Sequence, residues 1–273
     1  EIAKKNKNLI TITCDVSTSA GLDRYRKILP DQYLDVGIAE QNMIGVAAGL
    51  ASENFDIITT TFAPFQTMRC CEQIKVNIGY MKQNICMVGL ASGLVLGPLG
   101  YTHCCIEDVG VLRNIPGLTI ISPADSLETV KALFAAVNSR RPTYIRLTII
   151  SPADSLETVK ALFEAVNSRK PTYIRLTGSS NNPMVYKKDY EFKIGKAITL
   201  NEGKDITIFS SGTMVYQSLE AAKLIEEKNL SCKVVNMHTI KPLDLESINL
   251  ACKESKLIVT VEEHNIIGGL GSA

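Results

Sequence analysis

Glu40 stands at the head of an apolar segment: residues 35–42 read DVGIAEQN and are followed by MIGVAAGLAS. A carboxylate in the first turn of a helix complements the helix dipole, worth about 0.3–1 kcal/mol. Burial by Val36, Ile38, Ala39 and the run from Met43 to Leu50 works the other way. A desolvated carboxyl tends to keep its proton and becomes available as an acid or a neutral donor. The residues alone leave both roles open. Phe62 and Phe65 flank a proline in TTTFAPFQTMR, leaving a strand and entering a helix. Ligands bind open α/β sheets at such carboxyl ends of strands, so the two rings are either core or a stacking slot for a flat heterocycle. His103 lies in GLASGLVLGPLGYTHCCIED, a glycine-rich loop after a strand, which suits contact with a substrate. His103, Cys104 and Cys105 are adjacent and cannot converge on one tetrahedral ion, so no metal site is expected in this chain. His238 and His264 each follow a strand and are expected to be structural.

The elements that must position these groups alternate. Strand patterns at 9–16, 56–62, 84–91, 118–123 and 143–148 are separated by helical patterns at 38–52, 65–80 and 126–138. After GSSNNP at 178–183 the alternation restarts with DITIFSSG, VYQSLEAAKLIEEKN, CKVVNMHTI, DLESINLACKES and KLIVTVEEH. The expected fold is α/β, two domains, each a mainly parallel sheet covered by helices. The expected boundaries are 1–178, a linker at 179–190, and a smaller domain at 191–273 that is truncated at its end.

Residues 120–148 recur as 149–177, differing only in Ala135 against Glu164 and Arg141 against Lys170. In each copy Asp125 or Asp154 can cap a helix together with Glu128 or Glu157 three residues on. Two copies are too few for a solenoid, so the second is expected to be a functional bystander.

Composition narrows the partners. Lys and Arg number 29 against 28 Asp and Glu, without blocks of one sign, which favours neither nucleic acid nor an anionic membrane. Eight cysteines sit mostly within apolar runs, the usage of a reducing compartment, and a cytoplasmic location is expected.

In order and spacing, TCDVSTSAGL, DVGIAEQNMIGVAAGLA, TTFAPFQTMR, GPLGYTHCCIEDVGVLRNIPGLTIISPAD, RPTYIRLTG and VEEHNIIGGLGSA resemble the C-terminal half of a transketolase, in its split form. The resemblance implies a pyrimidine-binding domain, then a transketolase C-terminal domain, with thiamine diphosphate as cofactor and transfer of a two-carbon ketol unit between sugar phosphates. It implies that Glu40 bonds a pyrimidine nitrogen, that Phe62 and Phe65 cradle that ring, that His103 faces substrate, and that Ser19 contacts the sugar phosphate. Two positions depart from the pattern: Leu99 replaces an aspartate and Gly178 an arginine that grips phosphate. The Gly-Asp-Gly motif that holds magnesium and diphosphate in the superfamily is absent from the 273 residues. A partner chain, the N-terminal half, is therefore expected to hold the magnesium, in a heterotetramer of two of each half. The alternatives are a 1-deoxyxylulose-5-phosphate synthase-like enzyme, a 2-oxo acid dehydrogenase beta subunit, or a non-catalytic paralogue.

Overall fold

A computed structural model describes residues 6–125, 127–128, 131, 142–146, 184–186 and 190–273. The second repeat copy, Gly178 and most of the expected 126–138 helix and 179–190 linker lie outside the described residues.

The first unit contains β1 (Leu9–Thr13), α1 (Asp23–Ile28), β2 (Tyr33–Asp35), α2 (Glu40–Ser52), β3 (Asp56–Phe62), α3 (Ala63–Thr67), α4 (Cys71–Gln73), β4 (Ile85–Leu90), α5 (Asp108–Leu112), β5 (Thr119–Ile121) and β6 (Thr143–Arg146). The second contains β7 (Ile198–Asn201), β8 (Ile206–Ser210), α6 (Met214–Glu226), β9 (Cys232–Asn236), β10 (Thr239–Lys241), α7 (Leu245–Glu254) and β11 (Leu257–Val261). The larger sheet runs β10-β5-β6-β4-β3-β1-β2 and is parallel except at β10. The smaller runs β11-β8-β9-β7 and is parallel except at β7. This is the mainly parallel α/β architecture that the alternation implies.

β4 reads ICMVGL and is buried at all six positions, as a central strand covered on both faces must be. On α2, Met43, Ile44, Ala47 and Ala48 share one helical face and are buried, while Gly45 and Gly49 on the other are exposed. The single helical pattern expected over 65–80 is interrupted: α3 ends at Thr67, and α4 runs into a π-helical stretch, Ile74–Tyr80. CKVVNMHTI also does not form one strand. Its first half is β9 in the smaller sheet, and its second half, β10, pairs antiparallel with β5 at the edge of the larger one. The second unit thereby completes the first unit's sheet.

A buried polar network ties that junction. The Ala124 amide donates to Glu128 Oε2 at 2.6 Å and the Glu128 amide to Asp125 Oδ1 at 2.8 Å, the reciprocal cap legible in the sequence. The other Glu128 oxygen accepts from Asn236 Nδ2 on β9 at 2.8 Å and from the Tyr186 hydroxyl at 3.1 Å. Burial pushes the Glu128 carboxyl up to about 8 from an ordinary 4.5. Folding therefore takes up a proton between those values, so its contribution to stability is full below about pH 4.5 and is lost as pH rises through about 8. Unfolding midpoints measured across that window are expected to fall with pH, and Glu128→Gln to flatten the slope.

Candidate active site

Because β1, β2, β3, β4 and β6 run parallel, their carboxyl ends share one edge of the sheet. Glu40 follows β2 there, Phe62 ends β3 and Phe65 follows it, and His103 follows β4. Sequence-distant residues are thus brought together by topology, in the crevice where open α/β sheets hold ligands.

Glu40 is the first residue of α2, after an Ala39 cap that supplies no side-chain hydrogen bond, and it is only 4% exposed. Its Oε1 accepts from Arg69 Nη1 at 2.7 Å. The Arg69 guanidinium lies 3.9 Å from the centroid of the Phe65 ring, and its backbone carbonyl accepts from Gln41 Nε2. Arg69 thus links the carboxylate to the aromatic cluster. Its side chain remains 42% exposed, so the pair is screened and contributes at most about 1 kcal/mol to folding.

The rings meet edge to face. Phe62 and Phe65 are 6.2 Å apart at 84°, Phe65 and His103 5.3 Å at 72°, and Phe62 and His103 6.3 Å at 67°. Such a trio is favourable by quadrupole. It is not a slot between parallel faces, so a flat ligand meets the face of one ring and the edge of another. The Thr102 hydroxyl lies 3.0 Å from His103 Nδ1, which leaves substrate contact to Nε2. Burial pushes the nearby Cys14 and Cys70 thiols up to about 12, so neither is a nucleophile at neutral pH.

The structure brings Glu40, Phe62, Phe65 and His103 into one cluster. Ser19 lies apart, exposed in the turn after β1 and outside the ring contacts. Arg69 was missed by sequence reasoning, although its position four residues after Phe65 is a helical neighbour spacing. His238 is buried and stacked on Phe192, with burial pulling it down to about 3, hence neutral. The His264 ring is buried beside α5, its Nε2 accepting from the Gly110 amide at 3.4 Å. Among the described residues no three His, Cys, Asp or Glu side chains converge as a metal site. Nor is any of their helices long and apolar enough to cross a membrane.

A buried ion pair joins α5 to β6. Arg146 Nε donates to Asp108 Oδ2 at 2.5 Å, and the Tyr144 hydroxyl donates to the same oxygen at 2.8 Å. Arg146 Nη2 donates to the Cys105 carbonyl at 2.7 Å and to the Glu263 carbonyl of the second unit at 2.9 Å.

Fold and site together define a two-unit α/β protein with a buried carboxylate and an aromatic cluster at the carboxyl edge of its larger sheet. Residues 1–149 match the family description "Transketolase, pyrimidine binding domain", and residues 195–273 match "Transketolase, C-terminal domain". The chain belongs to the transketolase family. It is 34% identical over 273 residues to one of the subunits of the apulose-4-phosphate transketolase of Phocaeicola vulgatus, covering 100% of this chain and 78% of that protein. It is 34% identical over 273 residues to the 6-deoxy-6-sulfo-D-fructose transketolase subunit SqwH of a Clostridium species, covering 100% of this chain and 76% of that one. A solved structure described as "Split gene transketolase, inactive beta4 tetramer" superposes with a TM-score of 0.75 at 31% identity, over 99% of this chain and 79% of the other.

Proposed function

We propose that this chain is the pyrimidine side of a two-chain transketolase, moving a two-carbon ketol unit between sugars that carry a phosphate or a related anion. The observation that carries the reading is the buried Glu40 carboxylate, joined through Arg69 to the Phe62, Phe65 and His103 rings at the sheet's carboxyl edge. Transketolase-family domains depend on thiamine diphosphate. When bound, that cofactor supplies a nucleophilic, electron-accepting carbon, the chemistry that ketol transfer needs.

The residues present fit its aminopyrimidine. Glu40 offers a desolvated carboxyl to share a proton with a ring nitrogen, a role that bulk water would weaken. Arg69 holds Oε1, which leaves Oε2 for the ring nitrogen. Phe62 and Phe65 supply the apolar surface, while His103 Nε2 is left to bond a substrate oxygen. Ser19, in the exposed turn after β1, is assigned to the sugar's anion on the family resemblance alone. Magnesium and the diphosphate fall to an N-terminal partner half, since the described residues assemble no acidic cluster and the sequence carries no Gly-Asp-Gly. The working assembly is then a heterotetramer with the site between chains. Residues 1–178 form the pyrimidine-binding domain, 179–190 the linker and 191–273 the C-terminal domain. The two relatives named above are, by name, enzymes of a phosphorylated and a sulfonated sugar, which supports an anionic substrate.

Calorimetric titration of thiamine diphosphate with magnesium tests this. Binding is expected only when a candidate N-terminal half is present. Tight binding to this chain alone overturns the split site, and binding to neither overturns the cofactor assignment.

A further inference from the structure

We propose that Glu263, on the second unit, is a positioning residue that clamps the neck of the loop carrying His103. The inference rests on the ketol-transfer reading for its kinetic arm only.

Gly93 and Cys105 close this loop at its neck, each amide donating to the other's carbonyl at 2.8 Å. Both sides of the neck are then held by one residue of the second unit. On the entering side, the Glu263 carboxylate accepts from the Leu94 amide at 3.0 Å. On the leaving side, the Glu263 carbonyl accepts from Arg146 Nη2, and the same nitrogen holds the Cys105 carbonyl. The Thr213 hydroxyl donates to the second Glu263 oxygen at 3.0 Å, fixing the carboxylate's direction. Contact is close enough that a Cβ on Gly93, whose φ is +72°, would lie 2.5 Å from Glu263 Cδ. Glycine is required there on both counts.

In the loop body Leu96 packs against the core, but much of the remainder is open to solvent. Leu94, Leu99 and Tyr101 are exposed, and His103 meets the rest of the protein through the Phe62 and Phe65 rings. The His103 ring is thus located from two ends: the aromatic contact above and the neck below. A misplacement of about 1 Å at a group that bonds substrate can cost on the order of 10²-fold in rate. A second unit that touches no reacting atom therefore acts on the site through this neck.

The test is Glu263→Ala in the assembled two-chain enzyme. We expect kcat/KM for the sugar to fall about 10-fold with cofactor affinity unchanged, and Glu263→Gln to restore most of it, since a carboxamide oxygen can still accept from Leu94. Because Glu263 acts through His103, the double variant with His103→Ala is expected to be no worse than His103→Ala alone; multiplying losses overturn the proposal. Amide hydrogen exchange on the chain itself provides an independent arm. Glu263→Ala should quicken exchange across residues 93–105 and leave β4 protected; unchanged exchange in that loop overturns the clamp. Should this variant fail to fold, Thr213→Val keeps the carboxylate but frees it, and exchange at Leu94 is expected to rise; no rise there has the same consequence. If no ketol transfer is found with any partner, the exchange arm still decides the clamp, and the failure falls on the proposed activity alone.

Discussion

Replacing Glu40 by glutamine is expected to lower ketol-transfer turnover by about 10²–10⁴-fold in the assembled enzyme, while assembly of the complex survives. Glutamine has nearly the same shape, so the buried first turn of α2 keeps its packing. What is lost is the exchangeable proton between the carboxyl and the pyrimidine. The ion pair with Arg69 goes too, but that guanidinium is 42% exposed and regains water, so the stability change should stay within about 1 kcal/mol. Steady-state rates together with the native mass of the complex make the measurement. Turnover within threefold of the parent enzyme would remove Glu40 from the proton-sharing role, whatever happened to the mass.

Asp108→Asn is expected to have the largest effect on stability, about 3–5 kcal/mol. Asp108 and Arg146 side chains are 0% and 2% exposed, so water cannot replace the carboxylate once its charge is gone. Arg146 would stay buried against two carbonyls with no counter-charge. For a chain of this size the loss corresponds to a fall in Tm of roughly 10 °C. Asp108 lies outside the repeated segment, so no second copy can supply it. Lys256→Met serves as the contrast: its bond to Asp205 is at the surface, and its loss should cost about 0–1 kcal/mol. Thermal unfolding of both variants makes the comparison. A fall below about 2 °C for Asp108→Asn would mean that the site relaxes or admits water, and that the buried pair contributes little to stability.

The parts of the fold legible beforehand are those with local causes. The buried run ICMVGL, the alternation of short apolar strands with amphipathic helices, and the Asp125 and Glu128 cap all follow from periodicity and from backbone groups needing partners within a few residues. Glu40, Phe62 and Phe65 were legible because they mark a strand end or a short helix start, and His103 because it lies in a glycine-rich loop after a strand; parallel strands place these segments on one edge. The transketolase resemblance rested on these same segments.

What lay beyond reach depends on contacts between residues far apart in the chain. Arg69 was overlooked because its importance comes from Glu40, 29 positions away, rather than from its neighbours. The division of CKVVNMHTI between two sheets is invisible to a hydropathy pattern, because both halves are apolar and only the partner strands differ. The aromatic pair was legible from spacing, but its edge-to-face geometry depends on how α3 leaves β3.

By itself, then, the sequence determined the α/β class and singled out four residues that the fold gathers at one edge of the larger sheet. These follow from chain periodicity and from the directionality of parallel strands. The tertiary structure alone decided that Arg69 sits on the Glu40 carboxylate, that Asp108 and Arg146 form a buried ion pair, and that Glu263 reaches across to the His103 loop. The first two pairings are set by packing within the first unit and the third by packing the second unit against it, where the requirement that buried charges and amides find partners selects residues tens to more than a hundred positions apart.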